Sequence, residues 1–227
     1  MIFNNKKKAQ VGYYYENTLD IPNTLYSSID KINTNEVNCP AVATLNNRLF
    51  GVKPIVSIDI EFGIKNNEVF YVYKIDETNF ATSEQVHKLI KNTLIVQQHN
   101  NCASLQILSY ATFFTDERNL EIMSMPNDNV ELSNCKFISG AFYLKNWSRN
   151  INASFIQLEK DKPAKLSIKY NEPMFNIIFN NPVNLQLIKP KEKTIEYIHG
   201  IKNITQYYKN VINKMTNIIN KRPRKLL

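Results

Sequence analysis

The chain has 227 residues, 43% of them hydrophobic and with 12 Phe and 12 Tyr, which suffices for one sizeable core or two small ones, so most of it is expected to fold. Its formal net charge of +8 is unevenly placed: residues 1–188 carry 18 basic and 18 acidic groups, while 189–227 hold ten Lys or Arg against only Glu192 and Glu196. Asn is abundant at 32 residues and Lys outnumbers Arg 23 to 5, a bias of AT-rich coding that discounts Lys count alone but not the asymmetry, since body and tail share it.

The N-terminal run MIFNNKKKAQVGYYY is basic but lacks the apolar core of a secretory leader. No run approaches the roughly 18 apolar residues of a membrane span, so no membrane is expected. Cys39, Cys102 and Cys135 are odd in number, far apart and without a C-x-x-C pair, which favours a reduced, cytosolic setting with neither disulfide nor metal.

Along the chain the dominant period is two. In Ile55 to Phe62, Val56, Ile58, Ile60 and Phe62 share one face and Ser57, Asp59 and Glu61 the other, the pattern of a half-buried strand. Lys65-Asn66-Asn67 follows, Asn tolerates a left-handed backbone, and Val69 to Tyr73 is expected to return antiparallel. Further strands are predicted at Ser104 to Phe114, Leu120 to Met125, Phe137 to Leu144, Ser154 to Leu158, Ala164 to Tyr170, Phe175 to Phe179 and Val183 to Ile188. The breakers between them are built from Asn, Asp and Pro, because the whole chain has only five glycines. Short strands with regular turns point to an antiparallel sandwich or jelly-roll-like barrel.

Two segments change period. Thr82-Ser83-Glu84-Gln85 reads as a helix start, with a hydroxyl to cap it and Val86, Leu89 and Ile90 on one face. In Thr194 to Asn220, Ile201, Ile204, Tyr208, Val211, Met215 and Ile218 are spaced 3, 4, 3, 4 and 3 apart, an a/d seam of nearly three heptads. The preferred placement of that helix is across an open face of the β body. Self-association and contact of an exposed basic helix with an acidic surface stay open. Lys221-Arg222-Pro223-Arg224-Lys225 then ends the helix and presents four charges in five residues, fit for non-specific phosphate contact through counterion release. Tyr197, Tyr207 and Tyr208 are expected to pack rather than to stack on bases.

Catalytic signatures are sparse. His87, His99 and His199 fall in no H-x-D, H-x-E or H-E-x-x-H arrangement, and no G-x-G-x-x-G, P-loop or G-x-S-x-G is present. Asp59 and Glu61 share the polar face of a strand and are a hard-cation pair in outline, but two carboxylates at i, i+2 are ordinarily a solvated face. Asp116, Glu117 and Glu121 flank a turn. No catalytic, cofactor-binding or metal-ligating residue is therefore assigned.

A family resemblance begins at Phe137. Ser139-Gly140-Ala141-Phe142-Tyr143-Leu144-Lys145-Asn146-Trp147, followed by Phe155-Ile156-Gln157-Leu158-Glu159-Lys160-Asp161-Lys162-Pro163 and Ala164 to Tyr170, resembles a family of uncharacterised β-rich proteins from tailed bacteriophages of marine bacteria. In that family a strand, an "Ile-Glu-Lys-Gly-x-Pro" turn and a second strand recur. Asn38-Cys39-Pro40-Ala41 and Leu120 to Pro126 are similar to two further parts of it, while Asp161 stands where the family has Gly and can itself visit a left-handed turn. The same strand-turn-strand is similar to dUTPase-like β folds in architecture alone, since their nucleotide-binding glycines and catalytic Asp motif have no counterpart here.

The expectation is a mainly β chain, an antiparallel sandwich or jelly-roll-like barrel with a C-terminal amphipathic α-helix, divided into a β-rich body over 1–190 and a basic helix and tail over 191–227. The resemblance implies a β-rich phage protein of unassigned biochemical role; the preferred reading is a non-enzymatic phage-type structural or interaction protein, a β body docked into an assembly with help from its basic C-terminal helix, in the host cytoplasm or a virion, without cofactors. Its partners would be other proteins or a second copy, with nucleic acid met non-specifically through Lys221, Arg222, Arg224 and Lys225. The alternative from another class is a small-molecule-binding or catalytic cupin-like barrel with its pocket inside.

Overall fold

The computed structural model describes residues 9–15, 26–32, 45, 48–54, 56–76, 83–108, 111–144, 149–180, 185–188 and 190–198. In chain order the elements are β1 (Ala9–Tyr15), β2 (Tyr26–Lys31), β3 (Leu49–Pro54), β4 (Ile58–Lys65), β5 (Glu68–Ile75), α1 (Ser83–Thr93), β6 (Leu94–His99), β7 (Cys102–Ile107), β8 (Ala111–Phe114) and β9 (Glu121–Met125). They continue with β10 (Glu131–Ser133), β11 (Cys135–Phe137), β12 (Gly140–Tyr143), β13 (Arg149–Asn150), β14 (Ala153–Gln157), β15 (Ala164–Ile168), β16 (Phe175–Phe179) and β17 (Leu185–Ile188). A second helix, α2, covers 192–198. The chain is mainly β, and no described helix is long and apolar enough to cross a membrane.

The strands form four sheets, ordered β13-β8-β1-β17, β12-β9-β16-β3-β2, β10-β15-β4-β5 and β11-β14-β7-β6. Every pairing is antiparallel except β1 with β17, which run parallel from Ala9↔Leu185 to Gly12↔Ile188. The parallel pair needs a strand from each end of the body, a long-range closure that no local period announces.

Alternation along each strand sends one set of side chains into a common core. Val56, Ile58, Ile60 and Phe62 are at most 3% exposed, as their period predicts, and Phe113, Phe155, Phe175 and Phe179 join them from the other sheets. Burying a phenylalanine or a leucine contributes roughly 1.5–3 kcal/mol, so this shared core is the main source of stability. Aromatic pairs brace it: Phe137 meets Phe155 of the adjacent strand edge-on at 5.4 Å and stacks on Phe175 of another sheet at 6.1 Å.

The predicted hairpin is β4-β5, in register from Ile58↔Ile75 to Lys65↔Glu68, with Asn66 and Asn67 both left-handed at φ 54° and 63°. A two-residue turn with positive φ at both centres matches the twist of the strands it joins. Phe175–Phe179 forms as predicted, and α1 starts within a residue of its expected cap, with Leu89 and Ile90 buried.

Two predicted strands are each divided. Ser104 to Phe114 becomes β7 and β8 in different sheets, and Phe137 to Leu144 contains the end of β11 and all of β12, again in different sheets. A strand that crosses from one sheet to another keeps its apolar alternation while its partners change, so sequence period alone joins what the sheets separate. Asp161 is not among the left-handed residues, and the side chains of Asn134 and Gln157 hold its turn.

Candidate interaction surfaces

The outer face of the sheet β10-β15-β4-β5 holds an open groove of about 620 Å³. One row across it runs Lys74, Asp59, Ser167, Glu131 and the next Val72, Glu61, Lys165, Ser133, each residue opposite its neighbour in register. Lys165 pairs with Glu61 at 3.2 Å, and Lys169 with Glu131 at 3.1 Å just outside. The hydrogen bond to Glu131, reinforced by the charges of Glu131 and Glu172, holds the Lys169 ammonium above its usual pKa. Asp59 thus lies opposite Lys74 and Glu61 opposite Lys165, unlike charges across neighbouring strands. Among the described residues no group of three His, Cys, Asp or Glu is placed to hold a metal ion.

A charged turn beside this sheet is fixed from behind by two amides. Asn134, left-handed at φ 53°, accepts the Glu159 N–H at 2.9 Å and donates to the carbonyls of Glu159 and Lys162. Gln157, only 2% exposed, accepts the Ala103 N–H at 3.0 Å and donates to the carbonyls of Lys160 and Lys162 at 3.2 and 2.7 Å. Glu159 to Pro163 are all exposed, and Glu159, hydrogen-bonded to Lys162 at 2.7 Å, raises that ammonium's pKa. The result is a rigid, protruding turn whose backbone is satisfied from within.

Large apolar side chains stand in water near β12. Tyr143 is 59% exposed, Ile138 42% and Met123 37%. Met123 lies opposite both Ala141 and Ile178, and Ile178 lies opposite Leu49, so one apolar row crosses four strands of that sheet's outer face.

On the sheet β13-β8-β1-β17 the outer face is covered. Ile198 of α2, fully buried, packs with Tyr14 and Phe114, and Ile195 and Tyr197 flank them. The helix therefore begins on the β body, and Tyr197 is a packing residue. The predicted seam of Ile201, Ile204, Tyr208, Val211, Met215 and Ile218, the tail of Lys221, Arg222, Arg224 and Lys225, and His199 lie outside the described residues.

The other histidines are surface groups. His87 on α1 is exposed and its Nδ1 lies 2.8 Å from the Tyr73 hydroxyl, while His99 is exposed at the end of β6. Burial, and then the neighbouring Tyr71, push the Tyr73 phenol up. Burial also pushes the Cys135 thiol up, against hydrogen bonds at Ser133 and Lys165. Residue types alone do not single out Asn134, Gln157 or Tyr143, whose roles depend on which strands become neighbours.

Comparison of the chain with protein-family models, with curated proteins and with solved structures gave no match.

Proposed function

We propose that this chain is a non-enzymatic structural or interaction protein of the kind tailed phages encode, a β body that docks into a larger assembly with help from its basic C-terminal helix. The observation that carries this reading is the distribution of apolar groups. Phe62, Phe113, Phe155, Phe175 and Phe179 fill the space between the sheets, whereas Tyr143 and Met123 stand exposed on one outer sheet face, among other exposed apolar side chains such as Val72 and Leu158. Soluble domains rarely leave large apolar groups together on the surface unless something docks there.

The cupin-like alternative puts its pocket inside the barrel, where those phenylalanines sit. The described groove lies on an outer face, where Lys165 pairs with Glu61 and Glu131 with Lys169 just outside. Elemental analysis of the purified full-length protein separates the two readings. Interaction through surfaces predicts no stoichiometric metal, and one iron, zinc or manganese per chain would overturn it.

A further inference from the structure

We infer that the protein self-associates through β12, which pairs antiparallel with β12 of a second copy about a two-fold axis at Phe142. This deepens the interaction reading above, on which it rests, by naming the partner and the edge.

The backbone supplies the first reason. Leu144 N donates to Leu120 O at 2.9 Å, and Phe142 lies opposite Ile122 in the same ladder. In an antiparallel ladder alternate residues address the partner strand, so the N–H and C=O groups of Ala141 and Tyr143 point away from β9. β12 ends its sheet, and Gly140, Ala141 and Tyr143 are exposed.

The second reason is charge. Unprotected edges invite another strand, and proteins guard them with charged side chains, proline or cover. Among the eight sheet edges of the described residues, β2, β5, β10, β11 and β13 contain charged residues. β6 packs against β5 of the neighbouring sheet, and β17 runs into Lys189-Pro190. Within β12, Gly-Ala-Phe-Tyr, there is no charged residue and no proline, and Gly140, Ala141 and Tyr143 are exposed.

Self-pairing follows from that absence. A two-fold axis sets each edge against itself, so Glu131 on β10 or Lys136 on β11 would approach its own like charge, which is destabilising. On β12 nothing repels. An axis at Phe142 sets Ala141 opposite Tyr143 of the second copy, twice, with both sets of outward amides paired. The small Ala141 leaves room for the tyrosine ring, which then reaches toward Met123 and extends the apolar row of Ile178 and Leu49 across the interface.

Light scattering on the eluting full-length protein, over a range of concentrations, tests this. The wild type should approach twice the chain mass of 26.4 kDa, and Ala141→Lys and Tyr143→Lys should each halve the observed mass while keeping the wild-type circular dichroism spectrum. A doubly substituted Ala141→Cys/Tyr143→Cys protein should form intermolecular disulfides under mild oxidation, with doubled mass on a non-reducing gel. A wild type that stays at 26.4 kDa throughout overturns the inference. So does a doubled mass that survives both lysine variants, since association then runs through another surface. Either failure leaves the metal content, which reports on the interaction reading itself, as a separate result.

Discussion

At Asn66 and Asn67 the chain bends back on itself with φ of 54° and 63°, and Asn100, Asn119, Asn134 and Asn171 take the same left-handed conformation. All the described non-glycine residues with positive φ are asparagines, and no described glycine has one. Asparagine tolerates this region because its short amide bonds to nearby backbone, whereas other side chains lose about 1–2 kcal/mol there. Asn67→Ala should therefore cost about 1–2 kcal/mol in urea unfolding, and Asn67→Gly close to nothing. Gly51 serves close approach instead: a Cβ there would stand 2.8 Å from Pro173 Cγ, so Gly51→Ala should destabilise by about 1–3 kcal/mol. Gln157→Leu removes three hydrogen bonds from a residue that is 2% exposed and strands the groups it satisfied; a loss of about 2–3 kcal/mol is expected by the same measurement. Cys135 and Tyr73 both favour the neutral form when folded. Their raised values mean that the folded state holds its protons longer, so stability from both is full at neutral pH. It falls as pH rises past the unfolded values, about 8.5 for a thiol and about 10 for a phenol. Urea midpoints taken from neutral pH into the alkaline range should decline on the alkaline side.

Ile198 is the residue through which α2 holds to the body, against Tyr14 and Phe114 on the outer face of β1 and β8. Its burial is complete, so Ile198→Ala should cost about 2–5 kcal/mol, and circular dichroism should show whether helix is lost with it. The sequence period anticipates β4, β5, β9, β14, β15, β16 and α1 closely, because each buries one face against a single partner set. It misses β10, whose three residues are all exposed, and β13, which has two residues, since neither carries a period. It also passes over β1, whose Ala9, Val11 and Tyr13 alternate inward among tyrosines that face both ways, and β6, which follows α1 without a break. The groove is half legible. Spacing alone places Asp59 and Glu61 on one polar face, but Lys165 and Glu131 reach them only through sheet order.

The charge asymmetry of the whole molecule now has a physical division. Residues 1–188 balance 18 basic against 18 acidic groups, and their described ion pairs, such as Lys53 with Asp30 at 3.1 Å, are matched locally on the body's surface. The excess lies in residues 189–227, and the proposed function assigns it to an acidic partner. Replacing Lys221, Arg222, Arg224 and Lys225 with neutral residues should lower the salt needed to elute the protein from heparin and leave its melting temperature unchanged, because exposed charges contribute little to folding. Equal retention of variant and wild type would show a tail that only solvates. The claim that this β body works through its surfaces is met most directly by native mass spectrometry of the full-length protein. A metal-free species at twice 26.4 kDa is expected, and a single 26.4 kDa chain carrying one bound metal would contradict that claim.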